Sequence, residues 1–247
     1  MSVQRLTELI NSSSKIVFFT GAGISTESGI PDFRSPGGIW SRMQPIEFQD
    51  FLAAEEMRRE TWRRKIAVDK EISSAKPNLG HHAIAQLVRR GLCDTVITQN
   101  IDGLHQASGI TEDKIVELHG NGTYATCLEC GKRFELRSMF EAYTASGEAP
   151  LCDVCNGFIK PATISFGQAM PTEPMQRAQE ATLNCDLFLA VGSSLVVYPA
   201  AAFPAVAADH GAKLVIINRD PTDLDPLATL VVNEEIGPTL SAAVGIH

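Results

Sequence analysis

The chain has 247 residues, of which 44% are apolar and 20% charged, and its net charge is −8. This length buries a large core without disulfides, so the composition excludes collagen-like, disordered and mini-protein classes. The acidic balance argues against a nucleic-acid partner, because such binding depends largely on neutralised phosphates.

Two segments bear on location. Residues 2–15 contain no apolar run typical of a signal peptide, so we expect a cytoplasmic protein. Residues 187–208 carry no charge and are long enough to cross a bilayer, but Gly192, Pro199 and Pro204 interrupt them. We therefore expect a strand, a loop and a helix here, and no membrane partner.

Short β-branched runs predict the strands of a parallel sheet. The runs are continuously apolar, as in strands that are buried on both faces. They cover residues 15–19, 94–98, 114–118, 186–191, 213–217 and 228–232. Helical patterns occupy residues 2–10, 78–90 and 199–209. These elements predict an α/β fold with a doubly wound, Rossmann-like parallel sheet.

Two segments do not follow the alternation of strands and helices. One is a helical insert at residues 35–77, and the other, at residues 121–161, holds four cysteines. Because both begin and end in the sheet domain, we expect them to form a second, smaller domain beside a ligand-binding cleft. The larger domain would then comprise residues 1–34, 78–120 and 162–247.

Four of the six cysteines have the spacing of a zinc ribbon. They are Cys127, Cys130, Cys152 and Cys155, with 21 residues between the two pairs. Two such pairs supply four thiolates to one tetrahedral Zn²⁺ ion in a closed, structural site. The alternative is two disulfides, but the left-over Cys93 and Cys185 indicate a reducing compartment.

Polar or glycine-rich clusters follow five of the predicted strands. They comprise residues 20–25, 98–102, 119–120, 192–194 and 218. The carboxyl ends of parallel strands line one crevice, so these clusters should face the same space. Gly21 and Gly23 allow backbone amides to approach a pyrophosphate, which predicts a dinucleotide. Thr26 replaces the third glycine of the dehydrogenase fingerprint, so an ordinary dehydrogenase is not expected.

The order of these motifs resembles that of the sirtuins, the NAD-dependent protein lysine deacylases, over about residues 6–240. The matching segments are residues 21–25, 29–34, 98–102, 119–120, the two cysteine pairs, 166–167 and 192–195. The resemblance implies transfer of an acyl group from lysine to ADP-ribose, with release of nicotinamide and O-acyl-ADP-ribose. Mono-ADP-ribosyl transfer is the alternative activity, and a preference for longer or acidic acyl groups is the alternative specificity.

The resemblance also assigns roles to residues of this chain. Asn100, Ile101 and Asp102 would form the nicotinamide pocket, and His119 would be the base that deprotonates a ribose hydroxyl. The catalytic set would thus be His119, Asn100 and Asp102. Besides Asn100, Ile101, Asp102 and His119, NAD would contact Gly21, Ala22, Gly23, Thr26, Asp32, Phe33, Arg34, Gln99, Gly192, Ser193, Ser194, Asn218 and Ile236.

The acylated lysine of a protein substrate would add itself as an extended strand, and the resemblance places it between two short segments. These segments contribute Phe166, Gly167, Val196 and Val197. Lys160 and Gln168 differ from the arginine and the acidic residue that are usual beside this cleft.

Family members that prefer succinyl or malonyl lysine carry Tyr-x-x-Arg in the helical insert, where residues 62–65 here read Trp-Arg-Arg-Lys. We therefore expect uncharged acyl groups to be preferred. The alternative carboxylate partner is the basic cluster of Arg58, Arg59, Arg63 and Arg64.

Overall fold

The computed structural model describes residues 2–33, 35 and 37–246. Its strands are β1 (Ile16–Thr20), β2 (Cys93–Thr98), β3 (Ile115–Glu117), β4 (Gly120–Cys127), β5 (Arg133–Glu135), β6 (Ile159–Thr163), β7 (Leu187–Val191), β8 (Lys213–Ile217) and β9 (Leu230–Val232). Its α-helices are α1 (Ser2–Asn11), α2 (Ile39–Arg42), α3 (Phe48–Ala53), α4 (Glu55–Ile72), α5 (Leu79–Arg89), α6 (Leu104–Ala107), α7 (Leu136–Ser146), α8 (Thr172–Asn184), α9 (Phe203–Asp209) and α10 (Ile236–Val244).

The larger sheet is parallel, with the strand order β3-β2-β1-β7-β8-β9. Every residue of β1 and of β7 is buried, and successive side chains point to opposite faces. Phe18 therefore packs into one hydrophobic cluster and Phe19 into the other. The continuous apolar runs of the sequence correctly predicted these strands.

Helices cover both faces of this sheet. Helices α1, α5 and α10 contribute to the cluster around Phe18, and α8 and α9 to the cluster around Phe19. Asn78 caps α5, as its side chain accepts the backbone N–H groups of Gly80 and His81. The predicted doubly wound α/β fold is thus confirmed.

The uncharged stretch at residues 187–208 contains β7, a turn, a 3₁₀ helix at Ala200–Ala202 and then α9. The helix expected from residue 199 is thus divided. Pro204 lies in the first turn of α9, where its missing N–H leaves no helical hydrogen bond unmade. Within the described residues, none of the helices has both the length and the apolar character that a membrane crossing requires.

A smaller antiparallel sheet, with the order β5-β4-β6, carries the cysteines. The side chain of Trp62 in α4 is fully buried against this sheet, among Ala125, Met139 and Ile159. Its Nε1–H donates to the carbonyl oxygen of Ile159 at 3.2 Å. The helical insert and the ribbon therefore share one core, as expected of a second domain. The domain boundaries given above stay a prediction.

The two sheets meet next to His119. Residue 120 begins β4 and pairs with Thr163 of β6, and the N–H of Ile164 donates to the carbonyl oxygen of His119 at 2.8 Å. Gly120 has φ +70°, and a Cβ there would overlap the carbonyl oxygen of Ala162. Only glycine meets both requirements at this junction.

We predict that Gly120→Ala destabilises the protein more than Gly91→Ala does. Gly91 has nearly the same φ, +71°, but a Cβ there meets no described atom within 4 Å. The Gly91 change should cost about 1 kcal/mol for the backbone conformation alone. The Gly120 change should cost about 1–3 kcal/mol more for the overlap. Urea unfolding gives the free energy of unfolding of both variants. Equal decreases of that free energy would contradict the proposed overlap at Gly120.

Candidate active site

The strand order reverses at β1, which lies between β2 and β7, and a crevice is expected at this switch point, at the carboxyl ends of these strands. The loops after β1 and β7 touch through their backbones. The N–H of Gly23 donates to the carbonyl oxygen of Gly192 at 2.8 Å. A Cβ at Gly21 would lie 2.6 Å from that oxygen, and a Cβ at Gly23 2.7 Å from the Cα of Gly192. Glycines are therefore required at this crossing.

The loop after β1 forms a 3₁₀ helix, Ala22–Ser28, along the floor of the crevice. The Thr26 hydroxyl donates to the carbonyl oxygen of Gly23 at 2.9 Å. Further along, the Asp32 carboxylate accepts the N–H of Ser35 at 2.8 Å. The rings of Phe33 and Trp40 lie 5.6 Å apart. Arg34, which was also expected to contact the cofactor, lies outside the described residues.

Asn100 and Asp102, which follow β2, contact the loop after β1 through Ser25. The Ser25 hydroxyl donates to the Asp102 carboxylate at 2.7 Å, and Asn100 Nδ2 lies 3.2 Å from Ser25 Oγ and 3.0 Å from the carbonyl oxygen of Gly21. The N–H of Leu104 also donates to Asp102, at 2.9 Å. The sequence analysis assigned no role to Ser25, because its contact with Asp102 depends on how the loop curls.

Burial raises the pKa of Asp102, and the hydrogen bonds from Leu104 and Ser25 oppose that shift. The carboxylate is thus held in a partly desolvated place by donors that favour its charged form. Such a group can accept the N–H of a bound amide.

His119 follows β3 and reaches the same crevice. Its Nδ1 lies 3.1 Å from the carbonyl oxygen of Gln99, and a carbonyl only accepts, so Nδ1 carries the proton. In the neutral ring the basic lone pair is therefore on Nε2. Gln99 Nε2 donates to Ser193 Oγ at 2.9 Å, which joins this group to the loop after β7.

Asn218 follows β8, and Ile236 is the first residue of α10. Asn218 Nδ2 donates to the carbonyl oxygen of Asp220 at 2.8 Å, and Ile236 is buried at the start of α10. The N–H of Gly237 donates to the Glu27 carboxylate at 2.8 Å. Glu27 thus ties the loop after β1 to α10, a link that no local sequence pattern indicates. Ser194 is exposed.

A cavity of about 290 Å³ opens from the crevice towards the helical insert. Its polar end includes Ala22, Ser25, Asn100, Ile101 and Asp102. Its other end is lined mainly by apolar side chains, namely Phe33, Ile39, Trp40, Met43, Pro45, Ile46, Phe51, Val68 and Ile72. The cavity lining therefore combines the polar side chains of Ser25, Asn100 and Asp102 with a larger group of apolar side chains.

The expected peptide cleft is open in the structure. Phe166 and Val196 are 42% and 49% exposed, and Val197 is half-buried. Gln168 shapes the turn at Gly167, because its Oε1 accepts the N–H of Ser165 at 3.1 Å. The four residues expected to hold the peptide thus have accessible surface.

Lys160 is buried, and its ammonium donates to the carbonyl oxygens of Pro161 and Thr163. Burial lowers the pKa of Lys160 to about 8. Its contacts are with the backbone of its own strand and the residues after it, so this departure from arginine supports β6.

The basic cluster in α4 is occupied by other partners. Arg58 donates to the carbonyl oxygens of Phe51 and Leu52. Arg59 pairs with Glu55 and Glu148, and Arg63 and Arg64 both pair with Glu60. These ion pairs keep the pKa of Glu60 at about 2, mainly through the hydrogen bond from Arg63. A carboxylate on a substrate would have to compete with these partners.

The four predicted metal ligands converge. The Sγ atoms of Cys127, Cys130, Cys152 and Cys155 all lie within 4.8 Å of one another, with 3.4 Å between Cys127 and Cys155 and 3.7 Å between Cys130 and Cys152. Four thiolates around one Zn²⁺ at about 2.3 Å would be about 3.8 Å apart. The donor set therefore fits a closed, tetrahedral zinc site.

Comparison with known proteins gives one consistent result. A sequence model described as the Sir2 family matches residues 21–199. An NAD-dependent protein deacetylase from Rhodopseudomonas palustris is 55% identical over 243 residues, covering 98% of this chain and 96% of that protein. A solved Sir2–p53 peptide–NAD+ complex has a TM-score of 0.89 at 37% identity, covering 99% and 98% of the two chains. Sir2Tm bound to a propionylated peptide also has a TM-score of 0.89, at 36% identity and full coverage of both chains.

We predict that Cys127→Ala loses zinc and loosens the smaller domain. Zinc binding contributes on the order of 10 kcal/mol to the folding of small zinc modules, and three thiolates bind the ion less well than four. Cys185→Ala is the matched control, because Cys185 lies at the end of α8, away from the four-cysteine cluster. Metal analysis should find one zinc per wild-type chain and per control chain. A wild-type protein that is folded and active with far less zinc would contradict the assignment.

Proposed function

The chain belongs to the Sir2 family and is an NAD-dependent protein lysine deacylase, and we propose that it acts in the crevice at the carboxyl end of β1. The observation that carries this proposal is the convergence of Asn100, Asp102 and His119 around that crevice, from the ends of β2 and β3. Ser25 joins two of them to the loop after β1.

We propose that NAD lies along the crevice from Asn218 and Ile236 to Asp102. Support comes from the backbone contact between the loops after β1 and β7, which leaves no side chain in the way of a pyrophosphate. The residues that would hold it are Gly21, Ala22, Gly23, Thr26, Asp32, Phe33, Arg34, Gln99, Asn100, Ile101, Asp102, His119, Gly192, Ser193, Ser194, Asn218 and Ile236. Ser25 is added to this set on the strength of its contacts.

When NAD is bound, it supplies a ribose that loses nicotinamide and receives the acyl group. Asp102 would accept the N–H of the nicotinamide amide, because its carboxylate lies at the polar end of the cavity. Asn100 holds Ser25 and the carbonyl oxygen of Gly21, which fixes the wall of that pocket. His119 Nε2 would accept a proton from a ribose hydroxyl, and the carbonyl oxygen of Gln99 keeps the ring in the tautomer that this requires.

We propose that the acylated lysine lies between Phe166–Gly167 and Val196–Val197, which are accessible on both sides of the cleft. Main-chain hydrogen bonds of an added strand would hold peptides of many sequences. The two Sir2 complexes with peptides support this placement for a chain of the same fold.

We further propose that the protein works in a reducing compartment such as the cytoplasm. The four-cysteine cluster brings thiols such as those of Cys127 and Cys155 to within 3.4 Å, and they would oxidise in a disulfide-forming environment.

We predict that His119→Ala separates two steps of the reaction. A general base contributes on the order of 10² to 10⁴ in rate, so deacylation should fall by that order. Exchange of labelled nicotinamide into NAD needs no such base and should remain measurable. Asp102→Asn should impair both reactions, because it changes the nicotinamide pocket.

Mass spectrometry of an acetyl-lysine peptide with and without NAD measures deacylation, and label incorporation measures exchange. His82→Ala, on the exposed side of α5, is the control and should behave as wild type. A His119→Ala protein that is folded by circular dichroism, binds NAD and deacylates at the wild-type rate would remove His119 from the mechanism. Addition of ADP-ribose to the peptide without acyl loss would favour the transferase alternative.

We predict that butyryl-lysine is removed faster than succinyl-lysine, by about tenfold or more in kcat/KM. The two acyl groups are of similar length and differ at the end, which is a methyl in one and a carboxylate in the other. The cavity beyond Asp102 is mainly apolar, and Arg64 and Lys65 at its wall pair with Glu60 and Asp69. Burying an unpaired carboxylate there is costly.

A panel of acyl peptides measured under one set of conditions checks this preference. If succinyl-lysine were the better substrate, Arg64→Ala should reduce that activity selectively, and the proposed preference would be wrong.

A further inference from the structure

Two buried histidines lie in the core, and neither belongs to the proposed catalytic or NAD-binding set. His81 in α5 and His105 in α6 are 0% and 2% exposed, and their ring centroids lie 5.1 Å apart. Among the described residues, His81 Nε2 and His105 Nδ1 are buried side-chain atoms without a hydrogen-bond partner. A buried polar atom without a hydrogen bond lowers the stability of the folded protein, so a role outside packing is worth seeking for these two rings.

The partners of the other ring nitrogens assign the protons. The hydroxyl of Thr20 donates to Thr98 Oγ1 at 2.9 Å, and Thr20 Oγ1 lies 2.9 Å from His105 Nε2. Because Thr20 has one proton and has given it to Thr98, His105 Nε2 must be the donor to Thr20. The neutral His105 ring then has a lone pair on Nδ1.

The same reasoning applies to His81. Its Nδ1 accepts the backbone N–H of Asn78 at 3.4 Å, so its proton is on Nε2. Burial lowers the pKa of His81 to about 4 and that of His105 to about 3, so both rings are neutral at pH 7. The two unpartnered atoms are therefore complementary: His81 offers an N–H and His105 a lone pair.

This polar chain ends at the nicotinamide pocket. Thr20 and Thr98 are the last residues of β1 and β2, and both are buried. Thr98 Oγ1 accepts the backbone N–H of Asn100 at 3.0 Å. The orientation of Asn100 thus depends on a hydroxyl pair whose other end is held by His105.

We propose that His105 is a positioning residue for the reaction: its Nε2–H donates to the hydroxyl of Thr20, which in turn holds the hydroxyl of Thr98, the acceptor that fixes the backbone of Asn100. The proposal rests on the role of Asn100 in the nicotinamide pocket. It adds a residue that is buried in the core and acts through Thr20 and Thr98.

The test compares three substitutions at His105. Phe keeps a ring of similar size without a donor, Gln keeps an N–H near the place of Nε2, and Asn keeps a polar group only near Nδ1. In His105→Phe and His105→Asn, the rate of nicotinamide exchange should fall about tenfold. The nicotinamide concentration that half-inhibits deacylation should rise about tenfold. His105→Gln should restore most of the loss. His210→Phe, at an exposed site after α9, should behave as wild type.

A double variant separates positioning from loss of fold. Thr20→Val removes the hydroxyl with little change in volume. If His105 acts through Thr20, then His105→Phe combined with Thr20→Val should lose no more exchange than either change alone. Additive losses, or losses that match the fraction of unfolded protein, would overturn the proposal.

Nitrogen-15 spectra of histidine-labelled wild-type protein test the proton assignment without any substitution. His81 and His105 should both be neutral Nε2–H tautomers at pH 7, and a Nδ1–H tautomer at His105 would overturn the proposed pairing. Asn100→Ser tests the underlying role separately. If Asn100→Ser loses exchange and His105→Phe does not, only the present inference fails. If neither Asn100→Ser nor His105→Phe loses exchange, the proposed role of Asn100 in the nicotinamide pocket is wrong.

Discussion

The crevice depends on a contact between two backbones, where the N–H of Gly23 meets the carbonyl oxygen of Gly192. A Cβ on either glycine would push the loops after β1 and β7 apart. Because the loops touch there, the 3₁₀ helix after β1 turns under the ends of the strands and brings Ser25 to Asn100 and Asp102. The same approach brings Ser193 to Gln99, which also holds His119. The polar groups of the site are thus positioned by close packing of glycines, which side chains at these positions would prevent.

The sequence predicted the parallel sheet because its strands are buried on both faces and therefore read as apolar runs. It did not predict α2, α3 or β5, which have four, six and three residues, because periodicity needs longer windows to be seen. In the site, residues directly after strands were located by the rule that strand ends meet at one edge. This rule did not single out Ser25 or Glu27, because their side chains contact Asp102 and Gly237, which are distant in the sequence. The hydrogen bond between His105 and Thr20 links two elements that are distant in the sequence, and it leaves no local pattern that could reveal it.

The zinc ribbon supports His119, the proposed base, although the ribbon lies outside the crevice. Strand β4 begins at the residue after His119 and ends at Cys127, one of the proposed zinc ligands. Strand β6 pairs with β4, and the N–H of Ile164 just beyond it donates to the carbonyl oxygen of His119. Trp62 of α4 donates a hydrogen bond to the carbonyl oxygen of Ile159 in β6. A metal that orders β4 and β6 therefore also restrains the backbone of His119. If His119 is the base as proposed, a structural ion can influence a reaction that it does not touch.

The two buried histidines behind the proposed nicotinamide pocket, His81 and His105, are neutral at pH 7, and this suits the charge of the proposed ligand. The nicotinamide ring of NAD carries a positive charge until it leaves, so a cationic group buried nearby would oppose binding. Burial holds the pKa of His81 at about 4 and that of His105 at about 3, which keeps both imidazoles uncharged at neutral pH. Asp102, with donors from Ser25 and Leu104, supplies the carboxylate of the pocket. In the proposed arrangement, His105 orients Asn100 through the hydroxyls of Thr20 and Thr98 without adding charge, and the Asp102 carboxylate would interact with the cationic ring and its amide.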